Sequence, residues 1–286
     1  MNRWGDILRE IQAIEIEEKV YSLSLSACRR LDDAAVCALK RAAKEEQSPF
    51  GRESLRQLVE NLQAAEELNL PLCQDTGMAV VFVDVGQDAH ITGGLLSEAV
   101  DRGVRRAYRD GYFRASVLSP LERKNTGDNT PAILHTRIMP GDRVKITVAP
   151  KGFGSENMSR LQMLKPSAGL TGVRDFIIET VRLAGGNPCP PVVVGVGIGG
   201  TFERCAEMAK RALLRPLGQP SPDDAMAALE REMLNAINGL GIGPMGLGGS
   251  VTALAVHIET HPTHIAGLPV AVNMQCHCAR HAEGEV

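Results

Sequence analysis

The chain has 286 residues, of which 44% are hydrophobic and 23% charged, with a net charge of −3; this is the composition of a soluble globular protein long enough to bury a substantial core. So small a net charge gives no reason to expect nucleic acid or an anionic membrane as partner, and 3% aromatic residues provide no stacking platform for single strands. Apolar runs such as Met78–Val83 fall far short of the roughly 20 residues a membrane span needs. Met1–Asp6 has no apolar signal core, so a cytoplasmic location is expected.

Residues 6 to 66 read as helical, because Leu8, Ile11 and Ile14, then Leu31, Ala34, Ala35 and Leu39, then Leu55, Leu58 and Leu62 recur at helical spacing. Met78–Val85 is a β-rich run ended by Gly86, and Leu95–Tyr112 predicts another helix. Residues 114 to 135 are polar and aperiodic, a long loop of the kind that carries function. Val144–Val148 predicts a strand, Phe176–Leu183 an amphipathic helix, Val192–Val194 a buried strand running into glycines, and Thr201–Leu214 a helix. The next helix carries Ser221 as N-cap, Pro222 at its first position and two aspartates in its first turn. Val251–Ile258 and Val270–Met274 close the chain as strands. The expected class is α/β of the mixed α+β kind, a helical N-terminal region followed by mixed sheets with flanking helices.

Gly195-Val-Gly-Ile-Gly-Gly200 fits a dinucleotide fingerprint, but no second strand ending in an acid follows it; Arg215–Pro222 is a proline-rich break instead. Lys151-Gly-Phe-Gly-Ser155 lacks the lysine order of a phosphate loop. Five of the seven histidines lie in the last 30 residues, beside Cys276 and Cys278, and could serve a zinc site. Adjacent residues of a strand point to opposite faces, however, which sets Cys276 against His277. Seven cysteines, an odd number in a large chain, argue for thiols rather than a disulfide framework. Cys73, Cys205 and Cys276 each stand at an element boundary, and the helix start near Thr201 would favour a Cys205 thiolate. Three thiolates from distant segments suit an iron–sulfur cluster with one iron open, although spacing leaves buried filler and nucleophile as alternatives.

The stretches Cys73-Gln-Asp-Thr-Gly77, Lys124-Asn-Thr-Gly-Asp-Asn-Thr-Pro131, Pro150-Lys-Gly-Phe-Gly-Ser-Glu-Asn157, Gly195–Thr201, Gly241–Gly249 and Val272-Asn-Met-Gln-Cys276 resemble the class I, iron–sulfur fumarate hydratases. The likeness is to the α subunit of the two-subunit form, with L-tartrate dehydratase α subunits as relatives, and runs from about residue 10 onward. It implies a single catalytic domain over residues 1–286, with residues 1–66 as a helical region within it. It also implies a 4Fe–4S cluster held by Cys73, Cys205 and Cys276, leaving Cys28, Cys37, Cys189 and Cys278 as ordinary thiols. Asp75 would then handle a proton on the oxygen held by iron, and Gln74 would position substrate. Arg114 and His264 would bind the dicarboxylate, and Gly152 and Gly154 would offer backbone N–H groups to a carboxylate. Lys124, Asn125, Thr126 and Asn129 would shape the loop over the site. The plainer readings are an Asx-turn acid for Asp75, a surface charge for Arg114 and a core histidine for His264. The implied partners are a separate β subunit, which would carry the base, a small dicarboxylate, and a second α–β pair. The implied reaction is hydration of fumarate to L-malate, with L-tartrate dehydration as the alternative. From another class, a non-catalytic zinc-binding regulator would use the histidine-rich tail.

Overall fold

Helix begins later than the spacing of Leu8, Ile11 and Ile14 predicts. The computed structural model describes residues 8–286, so Met1–Asp6, read above for an export signal, lies outside the described residues. Arg9–Gln12 is a strand, β1, paired in parallel with Ala89–Thr92 (β3), and Ile11 is buried as a strand residue. Three helices follow: α1 (Ala13–Arg29), α2 (Asp33–Glu45) and α3 (Pro49–Glu67). Asp32 caps α2 by accepting from the Ala35 N–H at 2.7 Å. The chain folds as two compact units, and the helical N-terminal region is divided between them.

The first unit contains the chain up to Arg30, Ala65–Lys151 and Arg280 to the end. Its sheet has the order β10-β5-β2-β4, from β2 (Met78–Gly86), β4 (Ile133–Met139), β5 (Val144–Lys151) and β10 (Ala282–Glu285). Central β2 pairs in parallel with β4 and antiparallel with β5, which suits its nearly continuous apolar sequence. Helix α1 and α4 (Leu96–Asp110) supply Ile16, Val20, Val100 and Val104 to a core with Val81, Val83, Ile146 and Val148.

The second unit contains Leu31–Ala64 and Gly152–Ala279. Its elements are α5 (Phe153–Glu156), β6 (Arg160–Leu164), α6 (Gly169–Ala184), β7 (Val192–Gly199), α7 (Phe202–Ala212), α8 (Asp224–Asn238), β8 (Ala253–His261) and β9 (Leu268–Gln275). The sheet order is β6-β9-β7-β8, with β7 parallel to β8 and antiparallel to β9. Ile177, Val181, Met233 and Ile237 from α6 and α8 pack against Val194, Val196, Ile258 and Met274 of the sheet.

The mixed α+β class is as the sequence predicts, and two further details differ. Strands β4 and β6 were not legible because both are sheet edges whose side chains are largely exposed, which removes the apolar alternation. The N-cap of α8 is Asp223, whose carboxylate accepts from Ala225 and Met226, while the Ser221 hydroxyl accepts from the Asp223 N–H ahead of the helix. Gly195 and Gly197 are packing glycines. A Cβ on Gly195 would lie 2.1 Å from the Ala209 carbonyl oxygen, and one on Gly197 would lie 2.1 Å from that of Cys205. The fingerprint-like spacing is therefore accounted for by α7 lying directly on β7.

Candidate functional site

In the first unit, the turn before β2 carries half-exposed Cys73, exposed Gln74 and half-buried Asp75. Asp75 Oδ1 accepts from the Gly77 N–H at 3.0 Å, so the Asx-turn reading is correct as local structure. Arg114 is exposed, and its carbonyl accepts from the Thr76 hydroxyl at 3.1 Å, which ties its segment to the Asp75 turn. Buried Asn129 strengthens the tie: its amide donates to the Gly77 carbonyl at 3.2 Å, and its oxygen accepts from the Ser116 and Val117 N–H groups. Asn125 shapes the same loop, accepting from the Gly127 N–H and donating to the Ala115 carbonyl. Lys124, Asn125 and Thr126 are exposed. Arg105 and Thr130 bond Asp128; burial raises that carboxyl, but these donors outweigh it and hold it at about 2.

In the second unit, the register of β7 sorts the remaining residues into two groups. Gln275 lies opposite Val193, so Cys276 follows at the N-terminal end of β7. Cys189 approaches that end as well, because His277 donates its backbone N–H to the Cys189 carbonyl and sets its ring Nδ1 3.1 Å from the same oxygen. Gly154 joins them; an added Cβ there would meet the Asn187 carbonyl at 3.8 Å, an ordinary contact. Helix α5, which contains Gly154, is held by Glu156, whose carboxylate pairs with Lys210 of α7 and accepts from Asn273 of β9 at 3.1 Å.

Cys205 and His264 are at the other end. The Cys205 carbonyl abuts Gly197, which pairs with Ala271. Five residues of strand, roughly 16 Å at about 3.3 Å each, separate that position from Cys276. His264 lies in the turn between β8 and β9, beyond His261, which pairs with Gly199. It is exposed, accepting from the Ala266 N–H at Nδ1, so it is no core histidine and is not brought to Gly154 and Cys276.

The thiols sort by chemistry in the same way. Cys205 is fully buried against Met208, Ala209 and Ala271, and burial raises its pKa despite its place in the first turn of α7. Desolvation there exceeds the benefit of the helix N-terminus. Cys28 is pushed up to about 11 by burial. Cys73, Cys189 and Cys276 are half-exposed and stand outside helices and strands. Among the thiols expected above, Cys205 does not stand beside Cys276; the segment that meets that of Cys276 is the one carrying Cys189. The sequence carried the signal, since Cys189-Pro-Pro191 precedes the apolar run of β7, an element boundary like the other two.

The glycine-rich stretch Gly241–Gly249 meets the Cys189 segment. The Met245 N–H donates to the Pro190 carbonyl at 2.8 Å, and a Cβ on Gly186 would lie 3.1 Å from the Gly246 Cα. The loop is anchored by Glu46, which is fully buried and accepts from the backbone N–H groups of Ser48, Ser250 and Val251 at 2.8–2.9 Å. Burial raises the Glu46 carboxyl, but these donors outweigh it and hold it below the usual carboxylate range. Gly249 has φ +147 and lies against that carboxylate, where a Cβ would come within 2.6 Å of Oε1.

The fumarate hydratase (Fumerase) family model matches residues 17–285. The chain belongs to the fumarate hydratase family. It is 43% identical to a Methanocaldococcus jannaschii protein that carries a provisional name as an L(+)-tartrate dehydratase α subunit; the match covers 94% of this chain and 96% of that one. It is 34% identical to the proteins named L(+)-tartrate dehydratase subunit alpha of Escherichia coli K12 and Shigella boydii serotype 4, over 92% of this chain and 88% of each. The family is one of hydro-lyases, enzymes that add or remove water. Its dicarboxylate chemistry requires donors for two carboxylates and a group that moves a proton. In this chain the backbone of Arg114 is tied to the turn that carries Gln74 and Asp75 in the first unit, and Gly154 lies near the Asn187 carbonyl, two residues before Cys189, in the second. Among the described residues no helix is long and apolar enough to cross a membrane.

Proposed function

We propose that the chain is the α subunit of an iron–sulfur hydro-lyase that hydrates fumarate to L-malate. The observation that carries this reading is the family match over nearly the whole chain. Cys189 and Cys276 of the second unit, and Cys73 of the first, are half-exposed thiols in loops, and thiolate is the ligand that the irons of a 4Fe–4S cluster would take. When bound, the cluster supplies a Lewis acid for a substrate hydroxyl and carboxylate. Asp75 takes a proton from the adding water and returns it in the reverse direction. Arg114 and Gln74 hold one carboxylate, and the Gly154 N–H offers a hydrogen bond to the other. The proton on carbon is handled by a group from a separate β subunit, a partner that the relatives' names as subunit alpha support. Two such α–β pairs would form the working enzyme.

The names of the relatives favour a second reading, dehydration of L(+)-tartrate at the same site. Anaerobic reconstitution with iron and sulfide, together with the β subunit, tests both. Malate formed from fumarate faster than tartrate is dehydrated supports the first reading, and the reverse preference supports the second. A colourless, iron-free chain after reconstitution would overturn both.

A further inference from the structure

The Asp75 turn rests on buried polar groups that the reaction above does not use. Arg280, 4% exposed, donates from Nη2 to the Asp75 carbonyl and from Nε to the Pro150 carbonyl at 3.4 Å. Tyr108 of α4, 3% exposed, places its hydroxyl 2.8 Å from the Thr76 carbonyl and 3.0 Å from that of Gly77. The Gly77 carbonyl also accepts from Asn129, and the Leu72 N–H donates to the Cys28 carbonyl at the end of α1. Three successive carbonyls are therefore held by side chains from outside the turn. Burial pushes the Tyr108 phenol well above its ordinary value, so it stays an O–H donor at neutral pH.

Burying a guanidinium and a phenol is costly unless each is hydrogen-bonded, and a plain loop could satisfy these carbonyls with water. What the buried donors add is a single fixed orientation. We propose that Arg280 and Tyr108 are positioning residues which fix the backbone of the Asp75 turn, and through it the direction in which the Asp75 carboxylate faces substrate. The inference rests on the role given to Asp75 above. It extends that role to two residues from distant parts of the chain, and neither touches substrate.

The test uses the Tyr108→Phe, Arg280→Met and Arg280→Lys variants of the full chain, reconstituted with cluster and β subunit. A displacement of about 1 Å at a reacting group can cost on the order of 100-fold in rate. The expected result for Tyr108→Phe and Arg280→Met is a fall in kcat of about 10- to 100-fold with KM within about 2-fold and iron content unchanged. Arg280→Lys, which keeps a charge and a donor, should recover part of the loss. In the full chain without cluster, amide exchange over residues 72–78 should quicken about 10-fold while the rest of the chain keeps its protection. Wild-type kcat and exchange in both Tyr108→Phe and Arg280→Met would overturn the proposal. So would a loss of kcat, iron and protection spread over the whole chain, which marks a merely structural role. If Arg280→Met does not fold, Tyr108→Phe, which removes one oxygen, decides alone. Asp75→Asn is the control: full activity there would sink the reading of Asp75 itself, whereas an inactive Asp75→Asn beside an unaffected Tyr108→Phe would sink only the positioning role.

Discussion

Cys189 and Cys205 are sixteen residues apart and differ in every property that matters to a metal. Cys189 is half-exposed beside the Cys276 segment, whereas Cys205 is fully buried at the other end of β7 with its pKa raised. Cys189→Ala should therefore lose most of its iron on anaerobic reconstitution, while Cys205→Ala keeps it and loses about 1 kcal/mol of stability to a small cavity. Iron analysis with denaturation checks both, and iron retained by Cys189→Ala but lost by Cys205→Ala would make Cys205 the ligand. Glu46 presents a different case, a buried carboxylate satisfied by backbone donors. Its folded pKa lies below the unfolded value of about 4.3, so its stabilisation is present above that pH and is lost as pH falls through the folded pKa. Glu46→Gln replaces one acceptor by a donor facing N–H groups, and should cost about 1–3 kcal/mol at pH 7. The gap between variant and wild type in urea denaturation should narrow below about pH 4.

At the scale of elements, α7 and β7 meet through the absence of side chains. Gly195→Ala or Gly197→Ala sets a Cβ 2.1 Å from a backbone oxygen, which only a shift of the whole helix can relieve. Each should cost about 1–3 kcal/mol or more, read from thermal denaturation. Gly154 is the contrast, because its nearest neighbour to a new Cβ is 3.8 Å away. Gly154→Ala should leave stability within about 0.5 kcal/mol and raise KM for the dicarboxylate, since the methyl stands where a carboxylate would approach the N–H. An unchanged KM would remove Gly154 from the binding groups. The two substitutions are chemically identical, and the packing around each decides which property it changes.

For the whole molecule, carboxylates held below their ordinary range set the response to acid. Glu17 is buried beside Arg102 and Arg106, and although burial raises its pKa, the two guanidinium groups outweigh that and lower it. Asp128 is held at about 2, and Glu46 is lowered by its backbone donors. All three have folded values below the unfolded ones, so each stabilises the fold at neutral pH and loses that contribution as pH falls. Denaturation midpoints should fall steadily as pH drops below about 4. A midpoint that rises on acidification would contradict this arrangement.

The sequence by itself determined the class of fold, the strong helices, the apolar strands β2, β7 and β9, and the family. Each of these rests on local chemistry, whether apolar periodicity, caps or runs of motif residues, and local chemistry is visible one residue after another. The edge strands β4 and β6 and the strand at Arg9–Gln12 were not legible, because their hydrogen bonds, not their side chains, make them strands. The Asp75 turn and the loop from Lys124 to Pro131 could be read as functional from their polar, turn-forming residues, but not that Thr76 and Asn129 tie them together. Which thiols stand together could not be read at all. Cys205 and Cys189 both stand at element boundaries, and only the antiparallel register of β7 and β9 sends one to the Cys276 end and the other away from it. Nor does the sequence show that Arg280 and Tyr108 hold the turn before β2, since that follows from where a buried side chain ends after the chain has closed on itself. Long-range pairing sets those positions, and a single row of residues does not contain it.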